Sequence, residues 1–525
     1  MVGTQGMRHR AATLSGCRLG APFALAMFSV VALRPLAGRA QLSQPFWGGY
    51  ARNAQHTAQA DVASQPLSRI RWQTPMDTRP QYSGNELLIH YGSPLVTQAN
   101  TVIVPVKGRA DGGFRVEAHR GSDGRQLWRQ STDYRLPPHD WVPSFSPTLT
   151  ATGKLWIPGG GGTVYYRTSV DASGAGRKHQ VAFYGTTNYR RHRLMYRTNV
   201  FINTPMTSDD AGNIFFGFQV TGPTPLNLHS GIARISDSGI GTWVAAATAA
   251  ADAAITKVAH NSAPAVSTDG STLYVAVSNG NGLGGATGYL LALDSQTLAT
   301  IAIRRLQDPT SGQDADLHDD GTSSPTVGPD GDVYFGILEN PFPSNHDRGW
   351  LLHFDGMLQP KGAPGAFGWD DTVSIVPAAA VASYSGSSTY LLMTKYNNYF
   401  EAGGDGVNRI AVLDPNGQMT DPISGATVMR EVLTAVGPTP DAVGPSFPNA
   451  VREWCINSAA VDPLTQSILA NNEDGILYRW SLTTGTLSES IVLTPGIGEA
   501  YTPTLIGPDG TVYAINNAIL FAVGQ

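Results

Sequence analysis

The sequence predicts an all-β fold: an eight-bladed β-propeller of four-stranded antiparallel blades, closed by an N-terminal strand that completes the last blade. Three observations predict it. A phrase of small residue, proline, alternating apolar residues, Gly turn and second strand recurs eight times along the 525 residues. The prolines of the first six copies, Pro94, Pro147, Pro205, Pro264, Pro325 and Pro377, fall 52 to 61 residues apart. The final copy, "YTPTLIGPDGTVYAI" followed by "ILFAV", supplies three strands where the others supply four.

At the N-terminus, Arg8, Arg10 and Arg18 precede the apolar run "APFALAMFSVVAL" (Ala21 to Leu33), and "AGRA" offers small residues for cleavage after Ala40. This pattern predicts a secretory signal over residues 1–40 and an exported chain, periplasmic or extracellular. Thirteen apolar residues fall short of the ~20 that span a bilayer, so the mature chain is expected to have no transmembrane segment. Cys17 lies ahead of the run, out of place for a lipid-bearing cysteine. Cleavage removes five arginines and no acid, taking the formal charge from −5 to −10. So acidic a chain has no broad footprint for nucleic acid or anionic lipid. Cys455 alone then remains, which excludes an intrachain disulfide and leaves stability to the core. Charged residues are 14% of the chain while Gly numbers 59 and Pro 35, a composition of short strands and many turns.

The segment "PLSRIRWQTP" (Pro66 to Pro75) is the expected fourth strand of the last blade, with Trp72 in the place that Trp128 holds in the first. The copies then read "GSPLVTQANTVIVPV", "FSPTLTATGKLWIPG", "NTPMTSDDAGNIFFGF", "SAPAVSTDGSTLYVAV", "SSPTVGPDGDVYFGI", "IVPAAAVASYSGSSTYLLM", the proline-free "NSAAVDPLTQSILANN", and the last around Pro503. Proline opening a strand costs no ladder bond. Asp269-Gly270, Asp330-Gly331 and Asp509-Gly510 supply the positive φ of tight hairpins. Outer strands follow in "FRVEAHRGSDGRQLW", "GYLLALDSQTLATIAI", "RIAVLDPNGQ" and "ILYRWSLTTGTLSES". Two stretches depart from the repeat: "AAATAAADAA" (Ala245 to Ala254) predicts a short helix, and Pro422 to Ala450 lengthens the sixth unit and covers one mouth of the ring. "GGGG" (Gly159 to Gly162) reads as a hairpin loop. "YRRHRLMYR" (Tyr189 to Arg197) reads as a solvated outer strand, with a grip on an acidic sugar or a partner as the alternative.

The unit ending "GSDGRQLW" and the segment "FWGGYARNAQHTAQA" (Phe46 to Ala60) resemble those of eight-bladed quinoprotein alcohol dehydrogenase-like propellers, the PQQ-like repeat superfamily. That group includes the PQQ dehydrogenases and the non-catalytic outer-membrane assembly propellers. The resemblance spans nearly all of residues 41–525 and implies a single propeller domain there; it implies a scaffold, not a site. It also makes PQQ the cofactor to test. The two adjacent cysteines that PQQ alcohol dehydrogenases carry over the cofactor have no counterpart here, nor is there a "CxxCH" haem site, so PQQ is not expected. Trp141, Trp369 and Trp454 are each able to floor a ring, though core packing is the commoner role.

Chemistry is expected in the loops leading into the inner strands, because residues from different blades converge there. These loops carry His90, His139, Asp140, His260, Asn261, His318, Asp319, Asp320, Asp370, Asp371, Glu453 and Glu499. Four of the chain's twelve histidines lie in them. Asp319, Asp320, Asp370 and Glu453 would suit a hard divalent cation such as Ca²⁺; three histidines would suit a transition metal; a His or Asp would serve as general base. The competing role is turn capping, common for Asp and His at strand ends. "SGQDADLHDDG" (Ser311 to Gly321) lacks the spacing and terminal Glu of an EF-hand. The function expected is binding of a small molecule, glycan or envelope protein on the loop face around the channel. The alternatives are metal-assisted lyase or hydrolase chemistry, a PQQ-dependent dehydrogenase, and an envelope assembly scaffold.

Overall fold

Each blade starts at the axis with a strand of only a few residues and widens outward. The computed structural model describes residues 46–525, apart from 84–85, 88–90, 111, 139–144, 175, 281–284, 319–322 and 497–501. Among the described residues, blades one to seven span 95–131, 148–182, 207–245, 265–305, 326–354, 374–436 and 460–492. The eighth is built from Thr502–Ile506, Val512–Asn516 and Ile519–Gly524, with Arg69–Pro75 as its outer strand. The chain's two ends therefore close the ring, as expected. Trp72 sits opposite Ala522 as Trp128 sits opposite Ala118 in blade one. Both indoles dock on the next blade: Trp72 Nε1 donates to the Gly121 carbonyl at 2.8 Å and Trp128 Nε1 to that of Val170 at 2.7 Å.

Three features differ from the sequence expectation, and a fourth meets it and extends further. In blade six, the inner strand Ser374–Pro377 ends at the proline instead of starting after it, and a 3₁₀ turn follows at Ala378–Ala380. Blade five has three regular strands; along its outer edge the bridges Phe354 to Pro360 and Leu351 to Gly365 and the bond from the Lys361 N–H to the His353 carbonyl stand in for a fourth. The prolines and glycines of "LQPKGAPG" prevent a continuous ladder there. "YRRHRLMYR" is not a strand: it forms two short helices, Thr186–Arg191 and Arg193–Asn199, that bury Tyr189 and Tyr196. Finally, Pro422 to Ala450 does lengthen blade six, where Arg409–Thr420 pairs with Thr427–Val436. Its later residues reach blade seven, with Thr439 Oγ1 donating to Asp474 at 2.6 Å. The remaining expectations stand: Ala246–Ala249 is helical, and Gly159 to Gly162 joins Leu155–Pro158 to Thr163–Arg167. Among the described residues no helix is long and apolar enough to cross a membrane.

The axis is not open. Eight inner strands leave a ring of edge N–H groups around the centre, and buried backbone groups must be paired. The segment Phe46 to Ala60 does the pairing. Its carbonyls accept from the inner strands in succession: Gly48 from Leu149 at 2.7 Å, Ala54 from Val266 at 2.8 Å, Gln55 from Val327 at 2.9 Å, Thr57 from Ile375 at 3.0 Å and Ala58 from Val461 at 2.9 Å. Trp47 and Val96 exchange two bonds, each 2.9 Å. This hub is packed: Trp47, Ala51, His56 and Ala58 are at most 1% exposed. It curls inside the ring by holding Ala51, Arg52, His56 and Ala58 at positive φ, a conformation that costs of order 1 kcal/mol or more at each non-glycine residue. His56 sits between blades, its Nδ1 2.7 Å from the Pro325 carbonyl, and burial pushes its pKa down to about 4.

Candidate functional site

Inner strands run away from one face of the ring, here termed the upper face. Antiparallel alternation returns the turn between second and third strands to that same face. Leading loops and these turns therefore share a surface. Between blades five, six and seven it carries a dense cluster of buried charge.

Asp370 and Asp371 come from the loop leading into blade six, and Lys395 ends that blade's second strand, Tyr390–Lys395. Lys395 Nζ lies 2.7 Å from Asp370, and both side chains are 1% exposed. Burial opposes the ammonium charge, but Asp370 outweighs it and holds the Lys395 pKa above its ordinary value. Asp371 accepts from Thr394 Oγ1 at 2.7 Å and from the Lys395 N–H at 3.0 Å. The hub is stitched in beside it, because the Tyr50 and Thr372 hydroxyls are 2.7 Å apart. Desolvation pushes the Asp371 pKa from 3.8 up to about 7. The folded protein thus holds this proton more tightly than the unfolded chain. That contribution to stability is complete below pH 3.8 and is lost as pH rises through about 7. Asp371→Asn keeps an acceptor oxygen without a proton to lose. The variant is expected to gain about 2–4 kcal/mol on the wild type as pH climbs across that window. Denaturant midpoints at both ends of the window measure it, and parallel curves would refute the assignment.

Glu453 and Cys455 lead into blade seven, and Glu473 lies in its second turn. One ligand atom from each lies within 4.8 Å of the others. Burial, then the Glu473 charge, pushes the Glu453 pKa well above the carboxylate range; burial also raises Glu473 against the pull of Arg452, 3.4 Å away. Burial and Glu473 push the Cys455 thiol up, so it is a poor nucleophile. Two carboxyls so placed hold a shared proton or a cation, with the thiol as a third, softer donor.

Of the residues expected at the site, the structure brings Asp370, Asp371 and Glu453 to this one region. His260 and Asn261 instead tie blade four to blade three: His260 Nδ1 is 3.2 Å from Asn203 Nδ2, and the Asn261 N–H donates to the Asn203 carbonyl at 3.1 Å. His318 pairs with Asp316 at 3.1 Å and meets the Trp369 ring edge-on at 5.7 Å, beside the cleft that His260 also lines. His90, His139, Asp140, Asp319, Asp320 and Glu499 lie outside the described residues, so the proposed Ca²⁺ set is tested only at Asp370 and Glu453. Lys395 and Glu473 lie outside the leading loops, at a strand end and in a second turn. The turn "NNEDG" (Asn471 to Gly475) was the available signal, since strand alternation puts it on the same face.

Two solved structures share this architecture. A europium-containing methanol dehydrogenase is 11% identical over 90% of this chain and 90% of its own, with a TM-score of 0.52. A quinohemoprotein alcohol dehydrogenase from Comamonas testosteroni is 12% identical over 93% of this chain and 82% of its own, at 0.54. At such identities the likeness is one of fold. No protein-family model matches the chain, and no curated protein matches it. A quinone cofactor of the PQQ type is a flat tricarboxylate and requires cations about the axis. Among the described residues, Asp370, Asp371, Glu453 and Glu473 stand on this face and Lys395 is engaged with Asp370, so such a cofactor would need a bound divalent cation to bridge it to these carboxyls.

Proposed function

From a chain that folds as an eight-bladed propeller of the quinoprotein alcohol dehydrogenase type, we propose an exported binding protein that holds its ligand on the upper face. Export rests on the basic, apolar and small-residue succession of residues 1–40. One observation carries the binding reading: the hub bonds to six of the eight inner strands and is itself buried. A docking molecule meets a floor there, and the polar groups above it are engaged with fixed partners. A small molecule, a glycan or an envelope protein suits such a surface.

Thermal unfolding of the purified protein against panels of glycans, organic acids and divalent cations tests this. One class is expected to raise the midpoint in proportion to its concentration. Primary alcohols with added PQQ, Ca²⁺ and a dye acceptor are expected to give no dye reduction. Alcohol-dependent reduction of the dye would defeat the reading.

A second reading is favoured by Glu453 and Glu473. Buried carboxyls in electrostatic contact, one holding a proton, are equipped for acid–base work in a lyase or hydrolase, or for holding a divalent cation. Elemental analysis of the protein from its native compartment distinguishes cation from proton.

A further inference from the structure

A cleft of roughly 1050 Å³ opens on the upper face beside blade one, at the upper end of the range usual for ligand sites. Four arginines from four separate segments line it: Arg109 in the second turn of blade one, Arg115 on its third strand, Arg135 in the connection to blade two, and Arg197 on the helix Arg193–Asn199. Arg197 faces Asp133 at 3.6 Å and Arg115 is paired with Glu117 at 2.5 Å. Asp133 is already committed, since its Oδ1 accepts from the Gly160 N–H at 3.0 Å and from the Tyr165 hydroxyl at 2.8 Å. Arg109 and Arg135 are exposed and form no ion pair among the described residues. Among the described residues, Arg109 and Arg135 thus stand as positive charges with no acid paired to them, in a chain whose formal charge is −5.

The rest of the lining is neutral and of two kinds. Gln81, Ser131 and Thr132 offer hydrogen-bonding groups, while Phe114, Tyr134 and Phe201, each at most 9% exposed, form the apolar floor beneath them. A free phosphate needs cations converging on one point. Here the cations come from four segments of an open cleft, among groups suited to hydroxyls. We infer that this cleft binds an acidic oligosaccharide, its carboxylates meeting the arginines and its hydroxyls the neutral polar groups. The inference rests on the binding reading above and names a ligand class for it. It also gives "YRRHRLMYR" a purpose: the helical turn brings Arg197 to the cleft edge, where an outer strand would not.

Calorimetric titration with hexagalacturonate tests it, beside the methyl-esterified hexamer and inorganic phosphate. The acidic hexamer is expected to bind with an affinity that falls as salt rises, and the ester and phosphate not to bind. Arg109→Ala and Arg135→Ala, both at exposed side chains, should each weaken binding about tenfold. Equal binding of acid and ester, displacement of the hexamer by equimolar phosphate, or a hexamer indifferent to both arginines would each overturn the inference. A protein that ignores the hexamer yet is stabilised by another ligand overturns it too, while the binding reading survives.

Discussion

Trp47→Ala combined with Tyr50→Ala is expected to leave the ring at or beyond the limit of its stability. Trp47 is 1% exposed and Tyr50 5%. Truncating a buried aromatic costs about 3–5 kcal/mol, so the pair approaches the 5–15 kcal/mol by which folded proteins exceed their unfolded chains. The Thr372 hydroxyl also loses its partner on Tyr50. The effect should exceed that of equal truncations in a single blade, because six of the eight inner strands bond to the hub. Circular dichroism against urea reads the outcome. A double variant that unfolds at the wild-type midpoint would show that the hub is a passenger.

Lys395→Met should cost about 3–5 kcal/mol near neutral pH, since it leaves Asp370 buried without its cation. A second substitution identifies the cause. Asp370→Asn removes the stranded charge, so the double variant is expected to recover most of that penalty in its urea midpoint. Loss of packing alone would leave the penalty unchanged. Lys395 also lowers the pKa of Glu453, and its removal should drive that carboxyl further toward its protonated form.

The ring was legible because its signals are local. Proline at a strand start and Asp-Gly at a hairpin act over a few residues, and repetition multiplied them. Closure was legible from Trp72, which stands in its strand as Trp128 stands in its own. The hub was visible as a stretch, "FWGGYARNAQHTAQA", but not as an axle. Its backbone has no periodicity, and its partners, from Val96 to Val461, lie far along the chain. The helices at 186–199 did leave a trace, since Tyr189 and Tyr196 are seven residues apart, two helical turns, and both are buried. The charges between them masked it.

The candidate site was half legible. Asp370 and Asp371 are legible because proline marks the loop that holds them, and Glu453 because its loop precedes the proline-free copy of the same repeat. Lys395 and Glu473 come from a strand end and a turn that no proline marks, and Cys455 gained its surroundings only from them. Pairing of acids with a buried lysine depends on which blades adjoin, and that is a property of the closed ring.

Joining the ring through residues 69–75 and 519–524 imposes an order in time. The earliest part of the propeller to leave the ribosome finds its partner only when the last residues have emerged. Until then blade eight has no outer edge and the central segment has nothing complete to grip. Assembly is deferred to the end of translation.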